Sequence, residues 1–176
     1  MSAIRFNATL YSIRSWQILS LPAEASNKLS SRAIVMVTGT IQGFSFQAPL
    51  EPDGKGSHWL RVSKAMLSGA NTSVGETLNM VIEQSRDWPE PDVPPDFRAE
   101  LAKDPAAFKQ WLEVTVKAHW DWVRWINSAK QPETRKRRIG IALDKLRKGI
   151  KRPCCFNRNM CTELYVSHNG VLSNPS

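Results

Sequence analysis

The seven residues Pro89-Glu90-Pro91-Asp92-Val93-Pro94-Pro95 divide the chain into two kinds of sequence. Four of them are proline, which fixes φ, removes the amide donor and holds the preceding residue in extended backbone. No helix or central strand runs easily through such a stretch, so it reads as a linker. Before it, apolar residues recur with a period of two; after it, they recur at helical spacing. That change of period sets the fold class: α+β, a small N-terminal β-barrel of five to seven short strands followed by a C-terminal helical unit of three to four helices.

On the N-terminal side, Ile4, Phe6, Ala8 and Leu10 alternate with Arg5, Asn7 and Thr9, the pattern of a half-buried strand. Trp16 to Leu19 is a second apolar run, and Pro22 suits the first position of a short helix reaching about Leu29. Ala33–Ile41 and Phe44–Leu50 flank Gln42-Gly43 and predict a hairpin. Pro52-Asp53-Gly54 with Gly56 is turn chemistry, after which His58–Val62 forms a strand. A short helix from Ser63 to Leu67 is expected to end at Gly69, and Glu76–Glu83 is the last strand. Curling such a sheet into a barrel leaves few free edges.

On the C-terminal side, Pro95 or Asp96 opens a helix to about Ala102. Asp104-Pro105 pairs an N-cap with a first-position proline, and Thr115 can cap the next helix. From Pro132 to the glycine at 149, Ile139, Ala142, Leu143 and Leu146 mark one buried face at i, i+3, i+4 and i+7. The expected boundaries are 1–88 for the barrel, 89–95 for the linker, 96–150 for the helices and 151–176 for an irregular tail. That tail holds Cys154, Cys155 and Cys161, whose spacing is not that of paired zinc ligands, so they are expected as free thiols.

The chain has 176 residues and a formal net charge of +8, and the excess is local. Residues 1–95 balance to zero, whereas residues 131–176 carry ten basic and three acidic side chains. An anionic partner is therefore expected at the C-terminal end. No apolar run is long enough for a transmembrane helix, and the first twenty residues lack a signal-peptide pattern, so a cytoplasmic protein is expected.

With Ile139 at the centre of the buried face, Arg137, Arg138, Lys145 and Lys148 fall on the opposite side of the last helix. They are a solvated outer face or an anion-binding stripe for nucleic acid or an acidic protein. Arg135 points toward the apolar side, where it needs a carboxylate partner or forms an anion pocket. Trp111, Trp120, Trp122 and Trp125 crowd into fifteen residues, to pack one domain on the other or to offer a platform for a ligand. A cleft between barrel and helices, lined by Trp122, Trp125, Arg135 and His58, would suit a small molecule. His58, His119 and His168 are scattered, with no nucleophile motif around any of them. Catalytic residues, metal ligands and a cofactor are accordingly not assigned.

The stretch Trp125-Ile126-Asn127-Ser128-Ala129-Lys130-Gln131-Pro132-Glu133-Thr134-Arg135-Lys136-Arg137-Arg138-Ile139 resembles the W-I-x-x-A-K-x-x-E-T-R-x-R-R-I signature of the YdeI/OmpD-associated, or bacteriocin-protection, family. Pro95-Asp96-Phe97 with Leu101 and Phe108 is similar to that family's lead-in. Leu21-Pro22, Val37-x-Gly39-x-Ile41-x-Gly43-x-x-Phe46, Pro52-x-Gly54-x-Gly56 and Gly75-Glu76-x-Leu78 resemble the small domain of unknown function that often precedes it. One departure is Glu113-Val114-Thr115-Val116, which stands where the pattern has a Pro/Ser-rich corner. The resemblance implies a bacterial protein with a barrel followed by helices, a link to envelope stress or antimicrobial resistance, and no catalytic residue to carry over. Sequence and resemblance together lead to the expectation of a non-enzymatic binding or stress-response module that engages an acidic partner through its basic last helix. The alternative is a small-molecule binder or enzyme using the cleft.

Overall fold

In the computed structural model, which describes residues 2–129, 131–153 and 162–176, the alternating N-terminal pattern becomes strand β1, Ile4–Thr9. Its inward residues Ile4 and Ala8 are buried, while Arg5, Asn7 and Thr9 face water. Then come β2 (Tyr11–Ile13), β3 (Trp16–Ser20), the short helix α1 (Ala23–Ser26), β4 (Val35–Ile41), β5 (Phe44–Pro52) and β6 (His58–Val62). Helix α2 (Lys64–Ala70) and β7 (Thr77–Gln84) complete this region. The seven strands form one antiparallel sheet in the order β1-β7-β4-β5-β6-β3-β2. β1 and β2 sit at opposite edges although Leu10 alone separates them in sequence. The sheet must therefore curl until its edges are one residue apart, which makes it a half-barrel. Leu10, Leu19, Val37, Ile41, Leu50, Leu78 and Met80 fill the concave side with no exposed surface. Each such burial contributes about 1.5–3 kcal/mol relative to exposure.

The β4–β5 hairpin turns on Gln42 and Gly43, both at positive φ (49° and 83°), the backbone that matches the twist of the flanking strands. Helix α2 starts where Ser63 accepts a hydrogen bond from the Met66 amide but runs past Gly69. Its left-handed cap is Asn71, and Gly69 is explained by packing, since a Cβ there would lie 2.2 Å from the Phe44 ring.

The helical unit consists of α3 (Pro95–Ala102), α4 (Pro105–Glu113), α5 (Val116–Asn127) and α6 (Pro132–Arg147). Asp104 and Thr115 cap α4 and α5 by accepting from the Ala107 and Ala118 amides. The break at Val114 is therefore present without a proline: Val114 is extended (ψ 159°) and Thr115 starts the next helix. Phe97, Trp111, Trp122, Ile126, Ile139, Ala142 and Leu146 form this unit's core. Among the described residues, no helix is long and apolar enough to cross a membrane.

The sheet unit is the chain to Asp87 together with residues 162–176 of those described, and the helical unit begins at Trp88. Residues 89–95 are not a free linker, because the groups that proline retains, its carbonyl and ring, are used. Trp120 donates its indole N–H to the Pro89 carbonyl at 2.7 Å, the Trp88 ring meets Trp120 edge-on, and Pro91 is buried. The C-terminal segment is not a loose tail either. After a turn at Leu164–Val166 it forms a small hairpin, β8 (Ser167–His168) and β9 (Val171–Leu172). It covers Ile13, Ile18 and Trp59, which project from the outer face of the sheet and would otherwise be exposed. The indole of Trp59 donates to the Thr162 hydroxyl at 2.7 Å, and Gly54 lets Gly170 approach so closely that a Cβ would fall 2.2 Å from its carbonyl oxygen. The three cysteines lie outside the described residues.

Candidate functional site

Helix α6 does not present Arg137, Arg138, Lys145 and Lys148 as one free stripe. Arg137 is exposed, as is its neighbour Lys136, and among the described residues neither has an ion-pair partner. Arg138 instead turns back on α5, donating to the Trp125 carbonyl at 2.7 Å and to the Ser128 hydroxyl, with its guanidinium over the Trp125 ring. It is half-buried because helix α5 ends beside it and leaves carbonyls to satisfy. Lys148 bonds Asp144 one turn back, and that contact lowers the Asp144 carboxyl below the usual range. Lys145 is half-buried.

Arg135 finds its carboxylate. Its Nε donates to Asp96 Oδ2 at 2.6 Å and its Nη2 to Asp96 Oδ1 at 3.1 Å, a forked pair tying α6 to α3. Nη1 reaches Asn127 Oδ1 at 2.9 Å. The guanidinium hydrogen bond holds the Asp96 carboxyl below its usual value. Trp122 is wholly enclosed in the helical core and donates its indole N–H to the Lys151 carbonyl, and Trp125 packs edge-on against it. His58, by contrast, belongs to the interior of the sheet unit at 1% exposure. Its Nε2–H donates to the Ala33 carbonyl at 2.9 Å, leaving Nδ1 to accept from the Ser26 hydroxyl at 2.6 Å. Burial lowers its pKa, so the neutral ring is the resident form. His119 also has both nitrogens engaged: Nε2 by the Trp111 carbonyl and Nδ1 by Glu90.

A groove with a volume of about 560 Å³ lies between α3 and α6 of the helical unit. Ala99, Pro132, Ile139 and Leu143 supply apolar lining, and Asp96, Glu100, Arg135 and Lys136 its polar rim. Gly140 is an exposed lining residue in the interior of α6, where an added Cβ would meet nothing within 4 Å. A glycine at such a position costs the helix about 1 kcal/mol relative to alanine, and no packing neighbour in the unit requires it. Of the groove residues, only Arg135 is a candidate site residue from sequence, while Ile139 and Leu143 read there as plain core. The others are spread over residues 96–100 and 132–143 and become neighbours only when α3 docks on α6.

A second constellation went unread in the sequence. On the outer face of the sheet unit, Arg61 lies over the Trp16 ring at 3.6 Å, Trp16 meets Tyr165 at 5.0 Å, and Arg14 lies over Tyr165 at 5.1 Å. The β3–β6 register places Arg61 opposite Ile18 and hence diagonal to Trp16 on the same face. The hydroxyl of Tyr165 is 2.7 Å from that of Ser15, and this bond, with the two nearby guanidiniums, lowers the phenol's pKa. No spacing in the sequence links positions 14, 61 and 165.

A curled seven-stranded sheet followed by a four-helix unit, with a groove but no grouped metal ligands among the described residues, defines a two-unit α+β protein. Residues 90–149 match the family model described as Bacteriocin-protection, YdeI or OmpD-Associated, and residues 6–82 match the domain of unknown function DUF1905. The chain thus carries a YdeI/OmpD-associated domain preceded by a DUF1905 domain, as the resemblance implied. Among curated proteins, none matches the chain.

Proposed function

We propose that this chain is a binding module whose helical unit takes an acidic ligand with an apolar body in the groove between α3 and α6. The observation that carries the reading is Gly140. A glycine in the middle of a sixteen-residue helix, lining the groove with open space where a side chain would stand, leaves that room to an occupant. The volume of about 560 Å³ falls within the range of small-molecule sites. Charge favours an acid: Asp96 is matched by Arg135 and Glu100 by Lys103, which leaves the ammonium of Lys136 as the unmatched charge on the rim among the described residues. Both ring nitrogens of His58 and of His119 are engaged within their own units, which supports binding rather than turnover. A protective role of the kind the family description names needs only such binding.

The test is amide chemical-shift mapping with a panel of medium-chain carboxylates and aryl phosphates. The expected result is saturable shifts at Ala99, Lys136 and Gly140 that Gly140→Leu abolishes and Lys136→Glu weakens. Titrations that leave those amides unmoved, or that Gly140→Leu does not change, would overturn the reading.

A further inference from the structure

We propose that Arg14, Trp16, Arg61 and Tyr165 form a binding surface for single-stranded nucleic acid on the sheet unit. The four side chains make a continuous run of flat groups, guanidinium, indole, phenol and guanidinium, joined by contacts of 3.6, 5.0 and 5.1 Å. Both arginines and Tyr165 are exposed. Neither arginine has a carboxylate partner or a side-chain hydrogen bond among the described residues. Lying over a ring holds a guanidinium in place without using its N–H edges, so both forks remain open to phosphate oxygens. Flat cationic and aromatic faces side by side suit unstacked bases with their backbone, and a duplex hides the base faces they would take. An acidic peptide would use the two charges and leave the rings without a role.

The surface is built rather than incidental. Arg14 adopts a left-handed backbone (φ 55°) at the tip of the β2–β3 hairpin, and its amide donates to the Ser176 hydroxyl at 2.8 Å. Tyr165 is delivered by the C-terminal segment, which is fixed by the Ser15 contact and by main-chain bonds from Leu172 to Asp53 and from Ser176 to Ser12. Residues from three distant parts of the chain are thus anchored around Trp16.

The experiment is fluorescence anisotropy with a labelled oligothymidylate, the same length of single-stranded RNA, a DNA duplex and a glutamate-rich peptide, from about 50 to 300 mM salt. Single strands are expected to bind more tightly than duplex or peptide, with affinity falling as salt rises. Arg14→Glu/Arg61→Glu should weaken binding at least about tenfold, as expected for losing two phosphate contacts and a stacking face. Arg98→Glu/Lys109→Glu, at two exposed positions of the helical unit, changes the net charge equally and should leave it within about twofold. Arg14→Lys/Arg61→Lys keeps the charge without the planar fork and should fall between the two. A folded wild type that ignores single strands at low salt, a peptide bound as tightly as the oligonucleotide, or equal losses in the two charge reversals would overturn the proposal.

Discussion

In the helical unit Arg135, Arg138, Arg147 and Arg152 each meet an acceptor of the same unit: Asp96, the Trp125 carbonyl, Asp104 and Asp121. In the sheet unit Arg14 and Arg61 lie over aromatic rings, and among the described residues their guanidinium N–H groups meet no acceptor. The residues from 131 onward hold most of the chain's positive excess, yet much of that charge ties helices together. The first 95 residues balance to zero, yet they supply two arginines placed to meet a partner. Net charge by segment therefore says where cations are, not which of them a ligand can reach. The two uses of arginine predict opposite responses to substitution.

The largest difference should come from Arg138→Glu. The change removes two charge-assisted hydrogen bonds at the end of α5 and turns a carboxylate toward the Trp125 carbonyl. A loss of about 2 kcal/mol of helical-unit stability is expected in urea unfolding. A loss under about 0.5 kcal/mol would return Arg138 to the solvated face that the helical wheel assigned it.

Acid should next separate the two units. His58 has a lowered pKa when folded, so the unfolded chain takes up the proton first. Its contribution is whole above the ordinary histidine value near 6.5 and is lost as pH falls below it, by at most about 1.4 kcal/mol per pH unit. Asp96 works on a lower limb. Its carboxyl is also depressed, but for an acid the stability is present above the ordinary aspartate value and lost as pH falls through the folded one. Tryptophan and amide-exchange probes of each unit should show the sheet unit weakening between pH 6.5 and 5 while the helical unit holds. His58→Gln should flatten that limb, and loss of both units together would remove His58 as its cause.

Asp96→Asn addresses the helical tie directly. Its cost should be about 1 kcal/mol at neutral pH, modest because the Asp96 side chain is 46% exposed and water screens the pair. Below the ordinary aspartate range the wild type loses the same advantage, so the two unfolding curves should converge there. Curves that stay parallel to acid pH would mean that the fork with Arg135 contributes nothing.

Local signals in the sequence carried most of the architecture. Asp104-Pro105, Thr115 and Pro132 start helices because a cap and a first-position proline act within one turn. Gln42-Gly43 makes the hairpin for the same local reason. What the sequence hid is non-local. The strand at Tyr11–Ile13 is three residues long and shows itself only by pairing with β3. The C-terminal segment looks patternless because its few apolar residues, Val166 and Leu172, fill places on a sheet more than a hundred residues earlier. The candidate sites follow the same rule. Arg135 was legible as an arginine on an apolar face, but its partner Asp96 is 39 residues away. Arg138 was misplaced because a wheel drawn on one helix cannot show the open carbonyls at the end of its neighbour.

The smallest effect should fall on Arg61, and its smallness is informative. Arg61→Ala removes a cation from over Trp16 at an exposed site, where such contacts contribute about 0.5 kcal/mol. No acidic partner among the described residues is stranded, and no carbonyl loses a donor, so urea unfolding of the sheet unit should barely move. A comparable truncation at Arg135 strands the Asp96 carboxylate and the Asn127 amide oxygen and should cost more than twice as much. If Arg61→Ala proved as damaging as Arg135→Ala, the ring contact would be structural, and the sheet unit's arginines would be used as the helical unit's are. A near-silent Arg61 leaves its donors with no internal task, which is the condition a binding surface has to meet.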